Sequence, residues 1–188
     1  MLPIDGATVG IVGYGDIGRE VAIRAKAMGM RVLAVKRHPP AASNDSGLIA
    51  EYYTTGQLLL MLGRCDYVVV AAPLTAETHH MVSTAAFAVM KPSAVIINVG
   101  RGPVIDETAM IAALKEGRIK GAGLDVFEEE PLPPDSLLYK MENVLLSPHC
   151  ADNHAEWLSD ATRFFVAQYE RFRKGEPLKN VANKKLGY

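Results

Sequence analysis

An α/β fold, a doubly wound parallel sheet with a long C-terminal amphipathic helix, is the class this sequence predicts, on three observations. Apolar strand-like runs alternate with helical patterns along the chain, and turn residues mark each switch. The runs Tyr67-Val68-Val69-Val70-Ala71 and Ala94-Val95-Ile96-Ile97-Asn98 are apolar almost throughout and do not alternate, as strands covered on both faces require. Three glycines, Gly13, Gly15 and Gly18, separate the first run from the first helical pattern.

Strands are expected at 8–12, 31–35, 67–71, 94–98, 121–125 and 144–147. Between the first strand and the first helix, Gly13 makes the tight turn, Gly15 lets backbone approach a diphosphate, and Gly18 lets helix and strand pack closely. Asp16 and Ile17 complete that turn, and the amides that open the helix face the anion of a dinucleotide. The first helix places Ile17, Val21, Ala25 and Met28 on its apolar stripe and stops at Gly29. Ser83 and Asp106 read as N-caps of helices over 84–90 and 107–116. Residues 128–134 carry three prolines and form a loop. A last helix is expected from Asn153 to Lys174, with Asn153 and Glu156 at capping-box spacing and Gly175 ending it. Its stripe of Leu158, Ala161, Phe165, Tyr169 and Phe172 is widened by Trp157 and Phe164. Two readings stay open: part of that stripe seeks a second lobe or subunit, or all of it is core. The expected division is a dinucleotide-binding Rossmann domain over 1–152 and a helix with its tail over 153–188.

Composition narrows the classes. With 188 residues, 49% hydrophobic and 22% charged, the chain holds one well-buried domain plus an appendage. Its 20 basic and 21 acidic side chains leave a net charge of -1, so no general field favours nucleic acid or an anionic membrane. Cys65 and Cys150 have neither disulfide-framework nor zinc-ligand spacing, so no metal is expected and a reducing, cytoplasmic setting fits. No apolar run reaches the roughly 18 residues of a membrane span, and the first residues do not read as a signal peptide.

Cofactor choice is read at the end of the second strand. An acid about 20 residues past the glycines binds the adenosine ribose hydroxyls of NAD. Here the segment is Val35-Lys36-Arg37-His38, without that acid and with a guanidinium suited to a 2′-phosphate. NADP(H) is therefore the expected cofactor, with NAD the alternative should Lys36 and Arg37 prove to be solvated surface charges. Three ionisable candidates come after the carboxyl ends of strands, where open α/β sheets bind ligands: Arg101, Glu130 and His149. Arg101 suits a carboxylate and a carbonyl oxygen, His149 suits proton exchange near neutrality, and Glu130 suits the other imidazole nitrogen. His38, His79, His80 and His154 lack such company and read as surface residues, with His38 near enough in sequence to assist Arg37.

Taken in order, Gly13-Tyr14-Gly15-Asp16-Ile17-Gly18, Pro73-Leu74-Thr75-Ala76-Glu77-Thr78, Asn98-Val99-Gly100-Arg101-Gly102, Gly123-Leu124-Asp125-Val126-Phe127-Glu128-Glu129-Glu130-Pro131 and Ser147-Pro148-His149 resemble the D-isomer-specific 2-hydroxyacid dehydrogenases. The resemblance spans nearly all of residues 7–180. It implies that Arg101, Glu130 and His149 are the catalytic set and that Asp125 contacts the nicotinamide carboxamide. Pro73, Thr78 and Val99 are implied to line the cofactor. It also implies a small 2-keto acid substrate of the glyoxylate or hydroxypyruvate type, and a homodimer. Glu130 separates the chain from the formate-oxidising branch, which has an amide there. Cys150-Ala151-Asp152 departs from the small apolar residues usual after the histidine. The family places a substrate lobe of about 100 residues before the glycines. That lobe is expected to be missing here, leaving the last helix without the surface it packs on. The alternative reading is a non-catalytic dinucleotide-binding or dimerisation module, akin to the family's corepressor relatives.

Overall fold

The computed structural model describes residues 3–38 and 47–184. Positions 1–2, 39–46 and 185–188 of the two expected domains lie outside the described residues. Residues Met1–His149 form one compact unit and Cys150–Tyr188 a second.

Among the described residues the first unit is built on seven parallel strands: β1 (Thr8–Val12), β2 (Arg31–Val35), β3 (Glu51–Tyr53), β4 (Tyr67–Val70), β5 (Val95–Asn98), β6 (Gly121–Leu124) and β7 (Val144–Leu146). Their order is β3-β2-β1-β4-β5-β6-β7. The chain builds outward from β1 to β3, then returns to place β4 on the other side of β1. The loops leaving β1 and β4 thus diverge at a switch point, where open α/β sheets form their crevice.

Strand alternation divides the apolar side chains between two cores. Val9, Ile11, Val32, Ala34 and Val69 face α1 (Asp16–Ala27), through Ala22 and Ala25. Val12, Leu33, Val35, Val68, Val70 and Ile96 face the other way. There they meet Met61 and Leu62 of α2 (Leu58–Leu62), Phe87 of α3 (Thr84–Val89), and Met110 and Leu114 of α4 (Glu107–Lys115). Both sheet faces are covered, which is why β4 needs no polar alternation.

Four expectations require correction. The strand β3 is not among the expected runs: it is short, begins with Glu51 and adds to the sheet edge beside β2. The buried face of α1 is Gly18, Ala22 and Ala25, whereas Ile17 and Met28 of the expected stripe are exposed. The cause is proximity, since a Cβ on Gly18 would overlap the Gly13 carbonyl oxygen and press on Ile11. Only small side chains fit against a strand at that distance. Ser83 precedes α3 without a side-chain cap, while Asp106 does cap α4 by accepting from Ala109 N at 2.9 Å.

The fourth concerns the second unit, whose helix α5 spans Trp157–Arg173 with no side-chain cap. It begins after the expected start at Asn153, because residues 150–157 close turns of their own, Asn153 N to Cys150 O and Trp157 N to His154 O. Gly175, with φ of 69°, comes after its end as expected. No α5 residue is buried, and Phe165 and Phe172 are each 70% exposed. No helix among the described residues is long and apolar enough to cross a membrane.

Candidate active site

The crevice begins at the β1–α1 turn. Gly13 has φ of 95°, and a Cβ there would strike the Ala72 backbone beyond β4, so the turn requires glycine both for conformation and for space. Gly15 differs, because a Cβ on it would meet nothing within 4 Å. Its lack of a side chain serves no internal packing and leaves free space at the opening of α1. That helix has no side-chain cap, so its first amides are available to an oxygen-rich anion. Asp16 and Ile17 are exposed at the same opening. This arrangement fits a dinucleotide diphosphate.

The residues after β2 are not simply solvated. Arg37 pairs with Glu77 at 2.7 Å, joining the loop after β2 to the loop after β4, and Lys36 lies over the Tyr14 ring at 5.8 Å. Tyr14 in turn meets Tyr52 edge to face. Neither Tyr14 nor Glu77 stands out in the sequence by itself, although both lie inside motifs that do. In the loop after β4, Thr78 is buried, donates its hydroxyl to Pro73 O at 2.6 Å and accepts from Thr75 N at 2.8 Å. Thr78 therefore shapes the Pro73–Thr78 wall from within.

At the end of β5, Asn98 is 1% exposed and organises the loop that leaves the strand. Its Oδ1 accepts from Gly100 N and its Nδ2 donates to Arg101 O, both at 3.1 Å. The signal for this residue is present in the sequence: one amide closing an apolar strand, which burial obliges to find partners. Val99 donates its backbone amide to Val70 O, continuing the β4–β5 ladder into the loop. The Arg101 guanidinium donates to Gly100 O at 2.7 Å.

Asp125, directly after β6, is 5% exposed and accepts from the Ser147 hydroxyl at 2.6 Å, while its backbone oxygen accepts from His149 N at 2.8 Å. Asp125 thereby ties β6 to the segment that carries His149. His149 itself has φ of 51°, a left-handed conformation uncommon for a side-chain-bearing residue and held by these bonds.

Glu130 Oε2 accepts from His149 Nδ1 at 2.6 Å, and Oε1 accepts from Phe127 N at 3.0 Å. With its Nδ1 donating to the carboxylate, the imidazole directs Nε2 away from Glu130. Burial pushes the Glu130 carboxyl up, but the His149 and Phe127 bonds, with the charges of His149 and Arg101, hold it below the usual range. The structure thus places both His149 and Arg101 within electrostatic reach of Glu130, the three residues following three adjacent strands. Beside the pair lies a cavity of about 630 Å³ walled by Phe127, Leu132, Tyr139, Leu146 and Pro148. His80, expected to be an uncommitted surface residue, instead bonds through Nε2 to Glu128 at 2.6 Å and stacks on His79.

Comparisons with known proteins agree with this geometry. The family model of the D-isomer specific 2-hydroxyacid dehydrogenase NAD binding domain matches residues 1–151. A glyoxylate reductase of Korarchaeum cryptofilum is 42% identical over 184 residues, 96% of this chain and 53% of the relative. Glyoxylate/hydroxypyruvate reductase B of Citrobacter koseri is 48% identical over 145 residues, 76% of this chain and 43% of the relative. Among solved structures, a D-isomer specific 2-hydroxyacid dehydrogenase from Xanthobacter autotrophicus Py2 in complex with NADPH and MES superposes with a TM-score of 0.88 at 37% identity, covering 97% of this chain and 73% of that one. An NADPH-dependent glyoxylate/hydroxypyruvate reductase from Sinorhizobium meliloti, in complex with NADP and sulfate, gives 0.88 at 35% identity, with 97% and 57% covered. The chain spans about half the length of the curated relatives it matches.

Proposed function

Since the chain belongs to the D-isomer-specific 2-hydroxyacid dehydrogenase family, we propose that it carries the cofactor-binding and proton-transfer half of an NADP(H)-preferring reductase of small 2-keto acids such as glyoxylate and hydroxypyruvate. The observation that carries this reading is the Glu130–His149 hydrogen bond at 2.6 Å, beside Arg101. The reduced nicotinamide, when bound, supplies the hydride to the keto carbon. The chain's own residues do the rest. Arg101 holds the carboxylate and the carbonyl oxygen through its planar fork. His149 delivers a proton from Nε2 to that oxygen as charge develops on it. Glu130, bound to Nδ1, fixes the ring so that Nε2 is the atom left to exchange the proton.

Cofactor preference rests on Lys36 and Arg37 after β2, where NAD enzymes place an acid. Arg37 is engaged by Glu77, which is 68% exposed and free to yield to a phosphate. The bound form is a homodimer in this reading, supported by the exposed apolar residues of α5.

The test tracks absorbance of the reduced nicotinamide with glyoxylate or hydroxypyruvate, in this chain and in a version extended upstream. Turnover with NADPH, lost in Arg101→Ala while cofactor affinity is kept, is the expected result. Retained dinucleotide binding with no turnover in either form overturns the reductase in favour of a binding module.

A further inference from the structure

Three segments of the first unit meet at one imidazole. His80 ends the loop that carries Pro73 and Thr78, and φ of 50° places it in the left-handed region. Its backbone amide donates to Pro103 O at 2.8 Å, two residues beyond Arg101. Its ring Nε2 bonds Glu128 Oε1 at 2.6 Å, two residues before Glu130. Glu128 is also bound to the first residue of α4, accepting from Glu107 N at 3.3 Å and donating its own amide to Glu107 Oε2 at 3.2 Å. The same junction is closed on its inner side by backbone alone, for a Cβ on Gly102 would overlap the Phe127 carbonyl. Phe127 N is the second donor to Glu130. The turn that aims the Glu130 carboxylate is therefore clamped from both sides, and the side-chain clamp that reaches the cofactor loop is the His80–Glu128 pair.

Resting on the catalytic reading of Glu130 and His149, we propose that His80 and Glu128 are positioning residues: their pair locks residues 127–130 to the cofactor loop and so holds the Glu130 carboxylate against His149. Neither touches the reacting atoms. The groups that face His80 are Glu128 on its own junction, Glu107 from α4 and His79 stacked at 4.0 Å between ring centroids. Burial and the neighbouring Glu128 charge push the Glu107 carboxyl up, although the Glu128 amide pulls it down, so two acids crowd this point.

The experiment is an NMR pH titration of the His149 imidazole in the full chain, independent of turnover. His149 faces Glu130 directly, and Glu130 in turn feels the charge of Arg101. The reference variant is Glu130→Gln. The test variants are His80→Asn, which tolerates the left-handed backbone, and Glu128→Gln, which leaves the backbone of residue 80 alone. Loosening the turn weakens the Glu130 bond, so the His149 titration moves in each test variant in the same direction as in Glu130→Gln. The double variant moves it no further than either single one. If Glu130→Gln shifts His149 and both test variants leave it in place, the positioning role is overturned and the catalytic pair stands. If Glu130→Gln itself shifts nothing, the catalytic reading fails and this proposal fails with it.

Discussion

Glu130 carries the sharpest single-residue consequence. Its folded carboxyl lies below the ordinary glutamate range, so the stabilisation it gives is present at neutral pH and fades as pH falls below that ordinary range. Glu130→Gln removes the carboxylate that holds His149 Nδ1, so the pH profile of kcat/KM is expected to change. A pH profile of kcat/KM that does not change in Glu130→Gln contradicts that role. Arg101→Ala is expected to lower kcat/KM for the keto acid by on the order of 100-fold with cofactor affinity nearly unchanged. Equal loss of both, read by steady-state kinetics and nicotinamide fluorescence, makes the arginine a phosphate or structural residue. These three candidates are legible in the sequence because each comes after a recognisable strand end. Tyr14, Glu77 and the His80–Glu128 pair are not, since their importance lies in contacts between loops far apart in sequence.

Elements obey the sequence where hydrophobic period and turn chemistry agree, and depart from it where close approach decides. The strands from β1 to β7, β3 excepted, fall within a residue or so of their expected runs. In α1 the amphipathic pattern points to Ile17, Val21, Ala25 and Met28; Ala25 is buried and Val21 packs partly against the core, yet Gly18 and Ala22 take the places nearest the sheet while Ile17 and Met28 stay exposed. Periodicity measures which face is apolar; it does not measure how near the partner lies. The three-residue β3 has no run long enough to register, and its pairing with β2 supplies what its sequence lacks. At the turns the same closeness makes a prediction. Gly13→Ala places a Cβ into the Ala72 backbone at positive φ and should cost about 2 kcal/mol or more, seen as a fall in Tm. An unchanged Tm would mean that the two loops separate freely.

At the scale of the whole molecule, the two cores on either side of one sheet set stability, and the charged clusters modulate it. Phe87→Ala, at a residue 2% exposed, is expected to cost about 3–5 kcal/mol in chemical denaturation. At the sheet edge Glu51 is bound by Arg64, Tyr53 and Arg31, and these bonds lower its pKa to about 2 despite the opposing effect of burial. Its contribution is therefore full above the ordinary glutamate range and fades as pH falls toward 2. The stability difference between the protein and Glu51→Gln should be constant near neutrality and shrink to nothing in acid. A difference that keeps its neutral-pH size down to a pH of about 2 contradicts the assignment.

The measurement that bears most directly on the central claim compares NADPH affinity and Tm between the protein and Gly15→Val. A Cβ at position 15 meets no protein atom within 4 Å, so the variant should fold with a nearly unchanged Tm and lose dinucleotide binding because the space is needed by the diphosphate. Full NADPH affinity in a folded Gly15→Val variant would contradict the assignment of the β1–α1 turn as the cofactor site, and with it the reductase built upon that site.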